Sequence, residues 1–294
     1  MLSTDDLQTI ELKKYIVFVA ATEREQGLKH GSHGAIGRLG AVVWVQWDEL
    51  RHAAAAIGTV LWVGVQPRHW VRPVRGALAR QILAIGVEPL WFVGALAVFV
   101  GLSVVVQLTF WVGEAGQSQL LGPLLVAVVA RELGPVLINL VVIIRSGSAM
   151  TTELGVLKIN GDVREFETTG CDPFLHLVVP RVLGMAVAMF CLTIVFILVA
   201  FASGFVFAAW MGKSSRDLFV FADTVSSAVQ LKDIFGIVAK SILPALFASA
   251  SCCIGGLGVG GSVTDIPQAT QRSLTRCVAG LFVISATVSL LTYL

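Results

Sequence analysis

The sequence predicts an all-α integral membrane protein, with an N-terminal interfacial elbow helix followed by five transmembrane helices. Hydrophobic residues make up 56% of the 294 residues and charged residues 14%, which is more apolar surface than one soluble core of this length would bury. Charged residues are absent from long windows, among them 89–113, 182–212 and 277–294. Such windows are close to or above the ~20 residues that a helix needs to cross the hydrocarbon core, and their continuous apolar character favours helices over a β-barrel.

The chain before the first of these windows has two parts. Residues 1–33 form a polar leader whose short apolar run at 15–21 fits either a strand or a frayed helix. The leader lacks a basic segment followed by an apolar run and a small-residue cleavage site, so no cleavable signal peptide is expected. Residues 34–86 interleave tryptophan and arginine with apolar stretches that are too short to span, which favours an interfacial elbow over a small soluble helical layer.

The five predicted spans cover residues 89–112, 119–144, 181–208, 236–256 and 274–293. Four arginines without an intervening acid precede the first span, at Arg68, Arg72, Arg75 and Arg80. By the positive-inside rule they predict a cytoplasmic N-terminus and an external C-terminus. The loop after span three opposes this orientation, because basic residues lie on the side that the topology places outside: Lys213, Arg216, Lys232 and Lys240.

Two adjacent charged residues, Arg131 and Glu132, interrupt the second apolar run, and Gly134 and Pro135 follow them. Because charges that face lipid are costly, this pair must turn inward, form ion pairs or line a wet cavity. The glycine and proline loosen the helix at this depth. A polar point on a substrate path and a structural ion pair near a helix end are equally good accounts of the pattern.

The polar stretch 145–172 joins spans two and three on the side predicted to be cytoplasmic. Residues 160–161 are an Asn-Gly turn signal, and Asp162 can cap a helix with Glu165 three residues later. Glycine and proline at 170 and 173 end that helix.

The predicted helix runs from Val163 to Thr169 and exposes Phe166 between Glu165 and Glu167. An exposed aromatic ring on a short capped helix is suited to a partner's groove. The alternative is an ordinary loop helix that packs on its own bundle.

Several function classes are excluded by what the sequence lacks. The glycine-rich stretch 255–261 contains G-x-G-x-x-G, but a membrane span precedes it where a dinucleotide site needs a strand, so a turn or close helix packing is expected. Residues 212–214 lack the upstream glycine of a P-loop, so the chain is not expected to hydrolyse ATP by itself.

The five cysteines show no CxxC motif and no histidine at ligand spacing, and the net charge is only +2. No metal, cofactor, disulfide or nucleic-acid partner is therefore expected.

Five motifs follow one another in the centre of the chain: Arg131-Glu132-Leu133-Gly134-Pro135, Arg145-Ser146-Gly147-Ser148-Ala149, Glu153-Leu154-Gly155, Gly170-Cys171-Asp172-Pro173 and Val178-Val179-Pro180-Arg181. In order and spacing they resemble the MlaE/YrbE permeases of MCE-linked lipid ABC transporters. The resemblance extends over 34–294, the predicted permease domain, with weaker matches at 235–236, 240–241 and 269–270. The chain departs from the family pattern at 160–163 and 264–267, and the leader has no evident counterpart.

The resemblance implies a homodimeric permease subunit in the inner membrane, with no enzymatic activity of its own. It would move phospholipid or a similar lipid between that membrane and a periplasmic MCE-domain protein, maintaining outer-membrane lipid asymmetry. A cytosolic ABC ATPase is the implied energy source, and a small STAS-domain protein is an optional further partner. By resemblance, the residues of the lipid cavity are Arg131, Glu132, Gly134 and Pro135. The residues that couple to the ATPase are Val163, Glu165, Phe166, Glu167 and Thr169.

A secondary transporter of a hydrophobic or amphiphilic solute is the main alternative, because a membrane Arg-Glu pair also serves ion coupling. Such folds usually consist of two related halves with broken spans in matching positions, and five spans with one polar pair do not divide in that way. An intramembrane enzyme fits less well, since His176 is the only histidine beyond the N-terminal quarter of the chain.

Overall fold

The computed structural model describes residues 72–114, 121–169, 173–210 and 230–293, together with Gly58. These residues are helical almost throughout, which confirms the predicted all-α class. The described residues from 72 onward belong to one compact unit. The leader and most of the predicted elbow lie outside the described residues, and the part of the elbow that is described, from residue 72, is helical.

Five helices have the length and apolar composition to cross a membrane, as predicted: Val74–Leu108, Pro123–Asn160, Phe174–Phe207, Leu231–Leu257 and Val263–Thr292. They are called spans one to five below. Span four is the most enclosed of them, with 56% of its apolar window buried, and span five the least, with 22%. The core therefore lies around span four.

Span one contains α1 (Arg72–Ile82), a π-helical turn (Leu83–Val87) and α2 (Leu90–Glu114). It packs along span three, where two glycines allow close approach. A Cβ at Gly101 would lie 2.3 Å from the Ala200 carbonyl oxygen, and one at Gly204 would lie 2.3 Å from the Val105 side chain. Small residues at such crossings bring two helix backbones together.

Span two is longer than predicted and changes its helical form along its length. It consists of α3 (Leu121–Leu125), a π-helix (Val126–Leu133), α4 (Gly134–Val142), a second π-helix (Ile143–Gly147) and α5 (Ser148–Asn160). The predicted end at residue 144 is wrong, because the polar residues after it continue the helix as α5. At a rise of ~1.5 Å per residue the whole span exceeds the ~30 Å of hydrocarbon, so one end projects beyond the apolar core.

The remaining elements are α6 (Asp162–Thr168), a π-helical turn (Phe174–Val178), α7 (Val179–Trp210), α8 (Leu231–Leu257), a 3-10 turn (Val263–Asp265) and α9 (Ile266–Tyr293). Spans three, four and five each begin earlier than predicted. In span four the first turn contains Asp233, which forms a reciprocal capping box with Gln230. A charged residue is accommodated there because it satisfies backbone donors that the helix itself leaves open.

The glycine-rich stretch 255–261 provides both features that were expected of it. Gly255 and Gly256 end α8 against α5 and α9, and a Cβ at Gly256 would lie 2.7 Å from the Thr151 carbonyl oxygen. Gly261 has a φ of 72°, in the left-handed region that favours glycine, and it turns the chain toward span five.

Candidate functional site

Two ion pairs join span two to span four inside the helical bundle. The Arg131 Nη2 donates to Asp233 Oδ2 at 2.8 Å, and the Lys240 Nζ donates to Glu132 Oε1 at 2.6 Å. The adjacent Arg131 and Glu132 therefore pair with span four and not with each other. The exposed side-chain fraction is 0% for Asp233, 2% for Lys240, 21% for Arg131 and 50% for Glu132.

The local structure of span two places its two charges side by side. The π-helix Val126–Leu133 is buried at Val129 and Ala130, directly before Arg131. Gly134 and Pro135, which follow the pair, are also buried. A Cβ at Gly134 would lie 3.1 Å from Ile197 of span three, so glycine keeps span two close to its neighbour here.

Span four places its two charges on one face. Lys240 lies about two helical turns after Asp233, and residues at that separation lie on the same side of a helix. The Gln230 backbone N–H donates to Asp233 Oδ2 at 2.8 Å, the same oxygen that accepts from Arg131. Two donors thus compensate the desolvation of a carboxylate that water does not reach.

A third helix contributes to this cluster. The Ser289 hydroxyl of span five donates to Glu132 Oε1 at 2.9 Å. Spans two, four and five therefore meet at one carboxylate, and half of that carboxylate side chain stays exposed.

The cluster offers a polar contact point within apolar surroundings. Its four charges balance, which is the condition for burying them at tolerable cost. Among the described residues no group of three histidine, cysteine or acidic side chains is arranged to hold a metal ion. The chemistry that this arrangement supports is hydrogen bonding and charge pairing with a polar group that enters the bundle.

The partners on spans four and five were not identified from the sequence. The prediction that Lys240 belongs to the loop after span three is wrong, because it lies within α8 and is almost completely buried. One signal was present in the sequence: Asp233 and Lys240 have opposite charge and a separation that places them on one helical face. Ser289 gave no signal, since a serine in an apolar helix is common and bonds to its own backbone in most cases.

The helix predicted from Val163 to Thr169 is present as α6, with bounds one residue earlier than expected at each end. Gly161 has a φ of 86° and separates α5 from α6, and its carbonyl accepts from the backbone N–H of Glu165 at 3.2 Å. The prediction that Asp162 caps this helix is therefore wrong, because Asp162 is already its first residue. The Thr169 hydroxyl donates to the Glu165 carbonyl at 2.8 Å and closes the last turn.

Phe166 is half buried, which corrects the prediction of an exposed ring. It stacks on His176 of span three with ring centroids 6.4 Å apart and an interplanar angle of 24°. Glu165 is exposed and Val163 is half buried, whereas the side chain of Glu167 lies outside the described residues. The ring is therefore partly covered by its own bundle.

The helix that leads into α6 is connected to two spans. Arg181 of span three, which is buried, donates through Nη2 to Glu153 Oε2 of α5 at 3.0 Å. Lys158 of α5 donates to the Leu257 carbonyl, which is one of the carbonyls left open at the end of span four. Through these two contacts α5, which directly precedes α6, is held to spans three and four.

The chain is similar to known permease proteins over most of its length. The family model described as Permease MlaE matches residues 78–291. The chain is 27% identical to the intermembrane phospholipid transport system permease protein MlaE of Haemophilus influenzae, over 71% of this chain and 81% of that protein. It is 26% identical to a probable ABC transporter permease protein of Synechocystis, over 69% of this chain and 76% of that protein. It is also 26% identical to the chloroplastic protein TRIGALACTOSYLDIACYLGLYCEROL 1 of Arabidopsis thaliana, over 73% of this chain but only 59% of that protein.

Proposed function

Because this chain belongs to the MlaE permease family, we propose that it is the membrane-spanning permease subunit of an ABC transporter for phospholipid or a similar lipid. The observation that carries the proposal is the family match over residues 78–291, which covers nearly all of the five spans. The lipid would pass between the inner membrane and a periplasmic MCE-domain protein, maintaining outer-membrane lipid asymmetry. ATP hydrolysis is assigned to a cytosolic ATPase subunit and not to this chain, and a small STAS-domain protein is an optional further partner.

The cavity for the lipid headgroup is assigned to Arg131, Glu132, Gly134 and Pro135. The half-exposed carboxylate of Glu132 supports this assignment, because a charged group within a membrane-spanning helix is costly when it faces hydrocarbon. A water-filled cavity that also admits a headgroup removes this cost. Arg131 lies beside it with part of its side chain exposed, which suits the phosphate of a phospholipid.

A second copy of the chain would complete the walls of this cavity. Five spans enclose little interior, and span five, which carries Ser289, is the least buried of them. We assign a two-fold homodimer in which the cavity lies between the two copies.

The N-terminus is assigned to the cytoplasm. Arg68 and Arg72, which precede span one, and Arg75 and Arg80, which lie in its first two turns, still support this orientation. Lys240 no longer opposes it, because a lysine that is buried and paired with Glu132 is not a loop charge. In this orientation the ion-pair cluster lies in the periplasmic half of the bilayer, and α6 lies on the side of the ATPase.

Reconstitution tests the function directly. The chain, purified with its ATPase and placed in liposomes, is expected to move fluorescent phospholipid to or from a soluble MCE-domain acceptor only when ATP is hydrolysed. Native mass spectrometry of the same sample is expected to give two copies of this chain for two of the ATPase. Transport by the chain alone under an ion gradient would support a secondary transporter, and one copy per two ATPase subunits would contradict the homodimer.

The exposure of Glu132 to water is tested by thiol labelling. On a background without the native cysteines, Glu132→Cys in the assembled complex is expected to react with a small water-soluble maleimide. Two control positions are expected to react slowly: Val129→Cys at a fully buried position, and Val283→Cys on the exposed face of span five. Both should react at least tenfold more slowly, because the first is enclosed by protein and the second faces lipid or the partner copy. Protection of position 132 to the level of position 129 would exclude a water-filled cavity there.

A further inference from the structure

Asn139 is a buried polar residue of span two, two helical turns beyond Arg131. Its exposed fraction is 0%. The Nδ2 donates to the Pro135 carbonyl of its own helix at 2.6 Å and to the Lys240 carbonyl of span four at 3.0 Å. An amide without such bonds would be costly to bury, so the position needs a specific reason for not being apolar.

The carbonyl that Asn139 reaches on span four lacks the donor that an α-helix normally supplies four residues later. In an α-helix the carbonyl of residue 240 accepts from the backbone N–H of residue 244. That residue is Pro244, which lies inside α8 and has no N–H. The Asn139 side chain therefore substitutes for the hydrogen bond that Pro244 removes.

A side chain of span four makes a similar hydrogen bond to a carbonyl of span two. Pro135 of span two likewise has no N–H, and it follows the π-helix that contains Arg131. The Lys240 Nζ of span four donates to the Arg131 carbonyl at 2.9 Å. Each helix thus contains a proline, and a side chain of the other helix donates to a carbonyl four residues before each proline.

Lys240 takes part in both of these hydrogen bonds between span two and span four. Its carbonyl accepts from Asn139, while its ammonium group binds the Arg131 carbonyl and Glu132. We propose that Asn139 is a positioning residue, which holds span four at Pro244 and thereby keeps the Lys240 ammonium group on Glu132. The importance of this for transport rests on the proposed function, but the mutual dependence of Asn139 and Pro244 does not.

The physical consequence concerns bending. Proline bends a helix because its ring crowds the carbonyl four residues earlier and because one backbone hydrogen bond is lost. The Asn139 bond ties that carbonyl of α8 to span two, so without it the segment that carries Asp233 and Lys240 would be less restrained against span two. Both ion pairs of the cluster lie on that segment.

A double-mutant cycle tests the dependence, because Pro244→Ala restores the backbone N–H that Asn139 replaces. In the purified full-length chain in nanodiscs, Asn139→Leu is expected to lower the unfolding midpoint by about 3 °C or more. In the Pro244→Ala background the same change should lower it by less than about 1 °C, since the carbonyl then has a donor in its own helix. Thr193→Val is the matched control, because Thr193 is fully buried and its hydroxyl bonds to the Met189 carbonyl of its own helix. Its effect should be equal in both backgrounds.

ATP-driven lipid transfer by the reconstituted complex gives the second readout. Asn139→Leu is expected to reduce the rate at least fivefold, and adding Pro244→Ala should return it to within twofold of the wild type. Additive midpoint shifts, or a rate that the second substitution does not rescue, would overturn the positioning role. A wild-type complex that transfers no lipid would refute the proposed function, and the midpoint cycle would then decide the dependence alone.

Discussion

Arg131→Leu is expected to destabilise the bundle by about 3–5 kcal/mol, the cost of removing one partner of a buried ion pair. The reason lies with the partner, because Asp233 is inaccessible to water and loses a charged donor at 2.8 Å. A neutral backbone N–H such as that of Gln230 does not replace the charge of the guanidinium. The measurement is chemical or thermal unfolding of the purified chain in nanodiscs.

Two further variants isolate the cause of that loss. Asp233→Asn in the Arg131→Leu background should recover a substantial part of the stability, since the buried side chain then carries no charge that needs the guanidinium. Arg145→Leu is the matched control, because the Arg145–Glu88 pair has a separation of 3.6 Å and both side chains are exposed. Such a pair contributes only about 0–1 kcal/mol. Equal losses for Arg131→Leu and Arg145→Leu would show that the cluster is not a buried network.

Phe166→Ala is expected to weaken recovery of the ATPase by roughly 30-fold in affinity, with loss of ATP-driven lipid transfer. The ring is only partly covered and lies on α6, which the proposed topology places at the cytoplasmic surface. An aromatic anchor in a partner's pocket contributes on the order of 2 kcal/mol or more. The assay is titration of the purified ATPase against membranes that carry the wild-type or variant chain.

The stacking of Phe166 on His176 requires a control, because alanine also removes a contact within the chain. His176→Ala removes the same ring contact and leaves Phe166 in place, so it should keep most of the ATPase affinity. Phe235→Ala removes a largely exposed aromatic ring at the opposite end of the bundle and should leave ATPase affinity unchanged. Wild-type recovery and transport by Phe166→Ala would identify α6 as an ordinary loop element. The docking surface would then have to be sought around Arg272, in the first turns of span five.

The number and type of the helices could be predicted because they depend on composition over windows of about 20 residues. The ends of the helices could not be predicted, because a charged residue can end a helix, cap it or continue it as part of an ion pair. Residues 145–160 were predicted as a polar connection, yet they continue span two through the second π-helix and α5, and Glu153 of α5 pairs with Arg181. Asp233 lies before the predicted start of span four at residue 236, yet it forms a capping box in the first turn of α8.

Only part of the candidate site could be predicted from the sequence. Arg131 and Glu132 were conspicuous because adjacent charges in an apolar run need an explanation wherever they lie. Their partners come from residues about 100 and 157 positions later, and no local pattern connects such distant residues. Phe166 was predicted to be exposed because its neighbours in sequence are acidic, whereas His176, which covers it, belongs to another helix.

The sequence by itself determined that the chain crosses a membrane five times, that an adjacent pair of charges interrupts its second apolar run, and that its central motifs resemble those of a lipid permease family. These properties are additive along the chain or local to a short segment, so they do not depend on how the helices pack. Only the tertiary structure decided that Arg131 and Glu132 bind span four, that Lys240 is buried, and that the Asn139 side chain bonds to the carbonyl four residues before Pro244. Each of these depends on which faces of two distant helices meet. The faces that meet are those on which buried charges find partners of opposite sign and on which open carbonyl groups find donors from the neighbouring helix.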